Sequence, residues 1–152
     1  MKKLLIIGAV ILSSVVAANA QKAPKFSSES NVLDYGEVKF KGDGVREFVF
    51  KNVGDAPLMV TNATGSCGCT VPEWPKDPIR PGGSSSIKIK YATDRVGSFT
   101  KTVTITTNEV ESTGPDGNPV YKKHTVTIKG NVLPAPENQG APVKANPGVP
   151  KE

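Results

Sequence analysis

Apolar and polar residues alternate along most of the middle of this chain. In "SSSIKIKY", Ile87, Ile89 and Tyr91 fall on one side and Lys88 and Lys90 on the other. In "KTVTITTN", Val103 and Ile105 share a face against the threonines, and in "HTVTIKGNV" Val126, Ile128 and later Val132 line up. "REFVFKNVG" places Phe48 with Phe50, and "PLMVTNATG" pairs Leu58 with Val60 while sending Met59 to the other side. A period of two puts successive side chains on opposite faces of a strand, so each run predicts a half-buried β-strand. β-branched and aromatic residues dominate these runs, as a pleated surface favours. No stretch of useful length carries the period of an amphipathic helix.

Breakers separate the runs: Asp43-Gly44, Gly54-Asp55, Pro81-Gly82-Gly83, Gly97-Ser98 and the long "STGPDGNP" from Ser112 to Pro119. Glycine, proline, asparagine and aspartate at these places supply turn geometry. The pattern predicts an all-β fold, an Ig-like antiparallel β-sandwich of about seven strands over residues 26–133. Two distant cysteines with a tryptophan between them, the mark of true immunoglobulin domains, are absent. The likeness is one of architecture only.

The two ends read differently. Lys2 and Lys3 precede an apolar run from Leu4 to Val16, and Ala18-Asn19-Ala20 is a small-x-small cleavage site. This is the three-part pattern of a secretory signal peptide over residues 1–20. The apolar run is short against the roughly 20 residues of a membrane span. No cysteine follows the cleavage site to carry a lipid. The mature chain is therefore expected to be soluble, without a membrane span, and exported to the periplasm or beyond the cell. Residues 134–152, "PAPENQGAPVKANPGVPKE", carry almost no large apolar side chains and predict a disordered tail.

Net charge changes little in this picture. The formal charge is +5 for 19 basic and 14 acidic residues. Removing a leader with two lysines and no acids leaves 17 against 14, about +3. The excess is scattered, densest at Lys39-Phe40-Lys41 and Lys122-Lys123, which speaks for a solvated face and against a nucleic-acid groove.

The order of local patterns carries more. "LDYGEV", "FVFKNVGDAPLMV", "SCGCT", "IRPGGSSSIKIKY", "GSFTKTVTITTN" and "VTIKGNV" follow one another from Leu33 to Val132. This series resembles the family of domain of unknown function 1573, common in exported proteins of Bacteroidetes-type bacteria. The resemblance implies an Ig-like sandwich similar to PapD-like and ASH-type modules, and it implies no particular activity. Glu109 to Pro119 is longer than that pattern needs and predicts an extra hairpin tip.

Candidate chemistry centres on "GSCGCTVPEWP", which holds Cys67 and Cys69, the only cysteines. An exported compartment favours pairing. In an ideal strand the Cβ atoms of residues i and i+2 lie beyond disulfide reach, so a bond requires the chain to fold back at Gly68. Closing so small a loop contributes only about 1.6 kcal/mol by the chain-entropy relation. A bond that stabilises little and is tightly closed is comparatively easy to reduce. Three readings stand: a local disulfide shaping the loop, a redox-active dithiol, and a soft-metal site. A closed zinc site wants four ligands, and only the cysteines and His124 are at hand. Cu(I) accepts fewer, with Met59 as an assistant.

Trp74, between prolines in "PEWPKDP", reads as a plug against the cysteine loop or as an exposed binding anchor. His124 has the parity of Val126 and Ile128, which places it at the rim of the core. Phosphate-cradling glycine loops, calcium loops and nucleophile elbows are missing. The function expected is that of a non-enzymatic exported module, with no cofactor, that binds another protein or an envelope component. The alternatives are a thiol-disulfide redox protein and a copper-binding protein.

Overall fold

The alternating runs become strands in the computed structural model, which describes residues 22–136. The leader read at residues 1–20 and the tail beyond residue 136 lie outside the described residues. The strands are β1 (Phe26–Ser27), β2 (Val32–Val38), β3 (Val45–Asn52), β4 (Val60–Gly65), β5 (Thr70–Glu73), β6 (Ser84–Tyr91), β7 (Gly97–Thr113) and β8 (Pro119–Val132). They form two sheets of four strands, ordered β1-β3-β6-β5 and β2-β8-β7-β4. The described residues contain no helix.

The core lies between the sheets and is built from the positions the alternation selects. Phe48 and Phe50 of β3, Ile87, Ile89 and Tyr91 of β6, Val103 and Ile105 of β7, and Val126, Ile128 and Val132 of β8 are all buried. Leu58 and Val60 join them, with Leu58 held by a backbone bridge to Ile79. Each such side chain contributes about 1.5–3 kcal/mol by leaving water. Tyr35 of β2 crosses the core and donates its hydroxyl to the Ile89 carbonyl at 2.6 Å, tying one sheet to the other.

Two features depart from the sequence expectation. Eight strands form where about seven were expected, because the leading segment makes a two-residue strand against β3 before the chain leaves that sheet. The second sheet is mixed, since β2 pairs with β8 in parallel, Val32 opposite Thr127 and Val38 opposite Val132. The chain changes sheets between Ser27 and Val32, and in the second sheet it runs in the direction of β8. Alternation of apolar residues is the same for either direction, so the pattern could not reveal it.

The expected hairpin tip is present. Beyond Glu109, β7 and β8 run on as a two-stranded arm, with Val110 opposite Tyr121 and Thr113 opposite Pro119. Val110 is 61% and Tyr121 44% exposed, so the arm stands away from the core.

Candidate functional site

Cys67 and Cys69 lie in the crossover from β4 in one sheet to β5 in the other, at an end of the sandwich. They are bonded to each other, with Cα atoms 5.2 Å apart. A turn makes this approach feasible: the Thr70 N–H donates to the Cys67 carbonyl at 3.1 Å, with Gly68 and Cys69 between them. The loop is pinned on both sides. The Ser66 N–H donates to the Thr102 carbonyl at 2.8 Å, and the Ala92 N–H donates to the Cys69 carbonyl at 2.9 Å. Both sulfurs approach one buried hydroxyl, Thr70 Oγ1, at 3.7 Å from Cys67 and 3.9 Å from Cys69. Cys69 packs against the core, and Cys67 is half-buried without joining it.

The turn does not use Gly68 in the way its type suggests. Gly68 is absent from the left-handed backbone positions among the described residues, and a Cβ there would meet nothing within 4 Å. The glycine the loop demands is Gly65, where a Cβ would overlap the Thr70 carbonyl oxygen. Only the meeting of β4 and β5 makes Gly65 special, and no local sequence signal announces that contact.

Trp74 is half-buried against the core, as Cys69 is, and the Lys76 ammonium sits 3.6 Å over its ring. Met59 is 39% exposed and sits at the far end of β4 from the cysteine loop. Its N–H donates to the Asn108 side chain, whereas Gly65 lies opposite Val103. The structure therefore does not bring Met59 to the sulfurs.

His124 does lie at the rim of the core, stacked on Phe26 with ring centroids 4.3 Å apart. Its Nε2 lies 2.6 Å from Glu109 Oε2, which also accepts the Thr107 hydroxyl at 2.8 Å. A carboxylate only accepts, so Nε2 carries the proton in this bond. The histidine is thus committed to Glu109 and sits on β8, two strands across the sheet from β4, which leads into the cysteine loop. Sequence reasoning overlooked Glu109, although its odd-numbered parity with Val103, Ile105 and Thr107 points it inward.

A third feature is an open sheet edge. The Tyr91 N–H donates to Gly44 and the Asn52 N–H to Gly83, so the even-numbered backbone groups of β3 face β6. The odd-numbered groups face the other way, where β1 reaches only Lys51 and Asn52. At the far end, Asp43 Oδ1 accepts the Val45 N–H at 2.9 Å and Arg46 Nη1 donates to the Val45 carbonyl at 2.7 Å. Among the described residues, the outward backbone groups of Glu47 and Val49 have no strand partner between these two caps. A groove of about 640 Å³ runs beside them, lined by Phe48, Phe50, Val32, Leu33 and the Ser27–Ser30 crossover.

Residues 26–132 match the family described as a protein of unknown function, DUF1573. No curated protein matches the sequence. Among solved structures, the chain is similar to a protein of unknown function from Porphyromonas gingivalis W83, with 19% identity and a TM-score of 0.57. That match covers 78% of this chain and 51% of the other, so the chain spans about half the length of that relative. It is also similar to the human CEP192 ASH/PapD-like domain 7, with 6% identity, a TM-score of 0.54 and coverage of 86% and 99%. The periplasmic chaperone SfaE gives 9% identity, a TM-score of 0.51 and coverage of 74% and 62%. These likenesses establish an Ig-like, PapD-like sandwich.

Proposed function

Because the chain belongs to the DUF1573 family, whose function is unknown, we propose a role from the molecule itself: a non-enzymatic protein-binding module of the cell envelope that takes an extended partner segment onto the free edge of β3. One observation carries this reading. Among the described residues no strand lies beside the Glu47 and Val49 backbone groups, and an apolar groove lies along that edge. An added strand gains main-chain hydrogen bonds from such an edge, while side chains at alternate positions enter the groove. The groove floor favours large aliphatic or aromatic residues at every second position of the partner. A likeness to a periplasmic chaperone supports protein binding, and the leader read at residues 1–20 supports export. No helix among the described residues is long and apolar enough to cross a membrane.

Val49→Pro tests the proposal. Proline removes the outward N–H and crowds the edge, while the β3–β6 ladder, which uses the even-numbered residues, keeps its bonds. Proteins captured by the wild-type chain and lost by at least ten-fold from Val49→Pro, at unchanged melting temperature, are the expected result. Equal capture by both chains would overturn the reading.

A further inference from the structure

The Cys67–Cys69 bond lies at the end of the sandwich, outside the β3 groove, and it has a polarity that suits chemistry. Cys69 packs on the core, whereas Cys67 does not. Between them Gly68 is exposed, and the space where its Cβ would stand is open to at least 4 Å. An approaching group therefore meets the Cys67 side of the bond. On the inner side, the buried Thr70 hydroxyl lies 3.7 Å from Cys67 Sγ and 3.9 Å from Cys69 Sγ, within reach to donate to whichever sulfur gains charge. The backbone bonds from Ser66 to Thr102 and from Ala92 to Cys69 hold the crossover from both sides. Opening the sulfur bond leaves those anchors in place. A loop this short also lends the bond little of the stability that folding gives to long-range disulfides.

We infer that this pair is a thiol-exchange site, with Cys67 as the sulfur attacked, Cys69 as the leaving sulfur and Thr70 as the residue that positions the leaving thiolate. The substrate class is a dithiol; a monothiol such as glutathione takes the first step only and stops at the mixed disulfide. One thiolate of the dithiol attacks Cys67 Sγ, a new sulfur–sulfur bond forms, the Cys67–Cys69 bond breaks, and its electron pair leaves on Cys69. The resulting thiolate accepts the Thr70 hydroxyl hydrogen bond. A second thiolate on the same partner then attacks the partner's first sulfur and releases Cys67 as a thiolate. Protons from the two partner thiols balance the two new thiols, so the partner is oxidised by two electrons and the pair is reduced.

The test mixes the full oxidised chain with reduced glutathione, quenches in acid within milliseconds, and locates the mixed disulfide by mass spectrometry. The adduct is expected on Cys67 in at least ten-fold excess over Cys69. A short peptide carrying the Ser66–Thr70 sequence, with no fold to bias it, should show no such preference. An adduct on Cys69, or equally on both in the folded chain, overturns the inference. Thr70→Val should slow exchange by about ten-fold, the scale of one hydrogen bond to a charged sulfur. Thr70→Ser should restore it. Undiminished exchange in Thr70→Val removes Thr70 from the account, and the adduct position in the unmodified chain remains decisive should that variant fail to fold.

Discussion

Gly65 and Gly68 bracket the same turn and should respond oppositely to a methyl group. At Gly65 the added Cβ strikes the Thr70 carbonyl, so Gly65→Ala is expected to cost about 1–3 kcal/mol, as overpacking does. At Gly68 there is room and an ordinary backbone, so Gly68→Ala should stay within about 0.5 kcal/mol. Urea denaturation of both variants checks the contrast, and a larger loss at Gly68 would contradict it. The sequence draws attention to Gly68 because Cys-Gly-Cys spacing is visible along the chain, whereas the collision at Gly65 arises from a partner strand. Replacing both cysteines by serine should cost no more than about 1–3 kcal/mol, from a small loop term plus lost packing of Cys69. Tyr35 gives a pH-dependent test. Burial pushes its hydroxyl up to about 12 from 10.0. Its neutral form is the one the fold holds, so its contribution is complete below pH 10, where the unfolded chain begins to ionise. That contribution falls away as pH rises through about 12. Alkaline titration of stability should show this loss in the wild-type chain and a shallower one in Tyr35→Phe, which starts lower by about 1–2 kcal/mol.

At the scale of elements, alternation located the β3, β6, β7 and β8 core faces residue by residue, and Phe48, Ile87, Val103 and Val126 are where it put them. Pairing was not legible in the same way. The parallel β2–β8 pair and the two-residue β1 follow from where the chain crosses between sheets, and a period of two carries no information about neighbours. The open stretch at Glu47 and Val49 is a consequence of that crossing, so the proposed binding edge could not be read from residues 45–52 alone. Free edges invite unwanted pairing, and charged side chains restrain it. Glu47 and Lys51 flank Val49 on its exposed face. Val49→Ile should therefore raise self-association in light scattering relative to Val49→Lys, and equal behaviour of the two would mean that this edge is not accessible.

Across the whole molecule, stability should be uneven. The core strands carry the buried residues, whereas the arm beyond Glu109 is a two-stranded ribbon with its apolar residues in water. Amide hydrogen exchange should be slowest at Val103, Ile105, Val126 and Ile128 and faster by orders of magnitude from Val110 to Lys122. Uniform protection would mean that the arm docks on something. The β3 edge is tested by placing a photoreactive side chain singly at positions 47, 49 and 88 of the full chain in the cells it comes from. Lys88 lies in β6, which is paired on both sides. Protein adducts are expected at 47 and 49 and little at 88; adducts that are equal at all three, or confined to 88, would contradict binding at this edge.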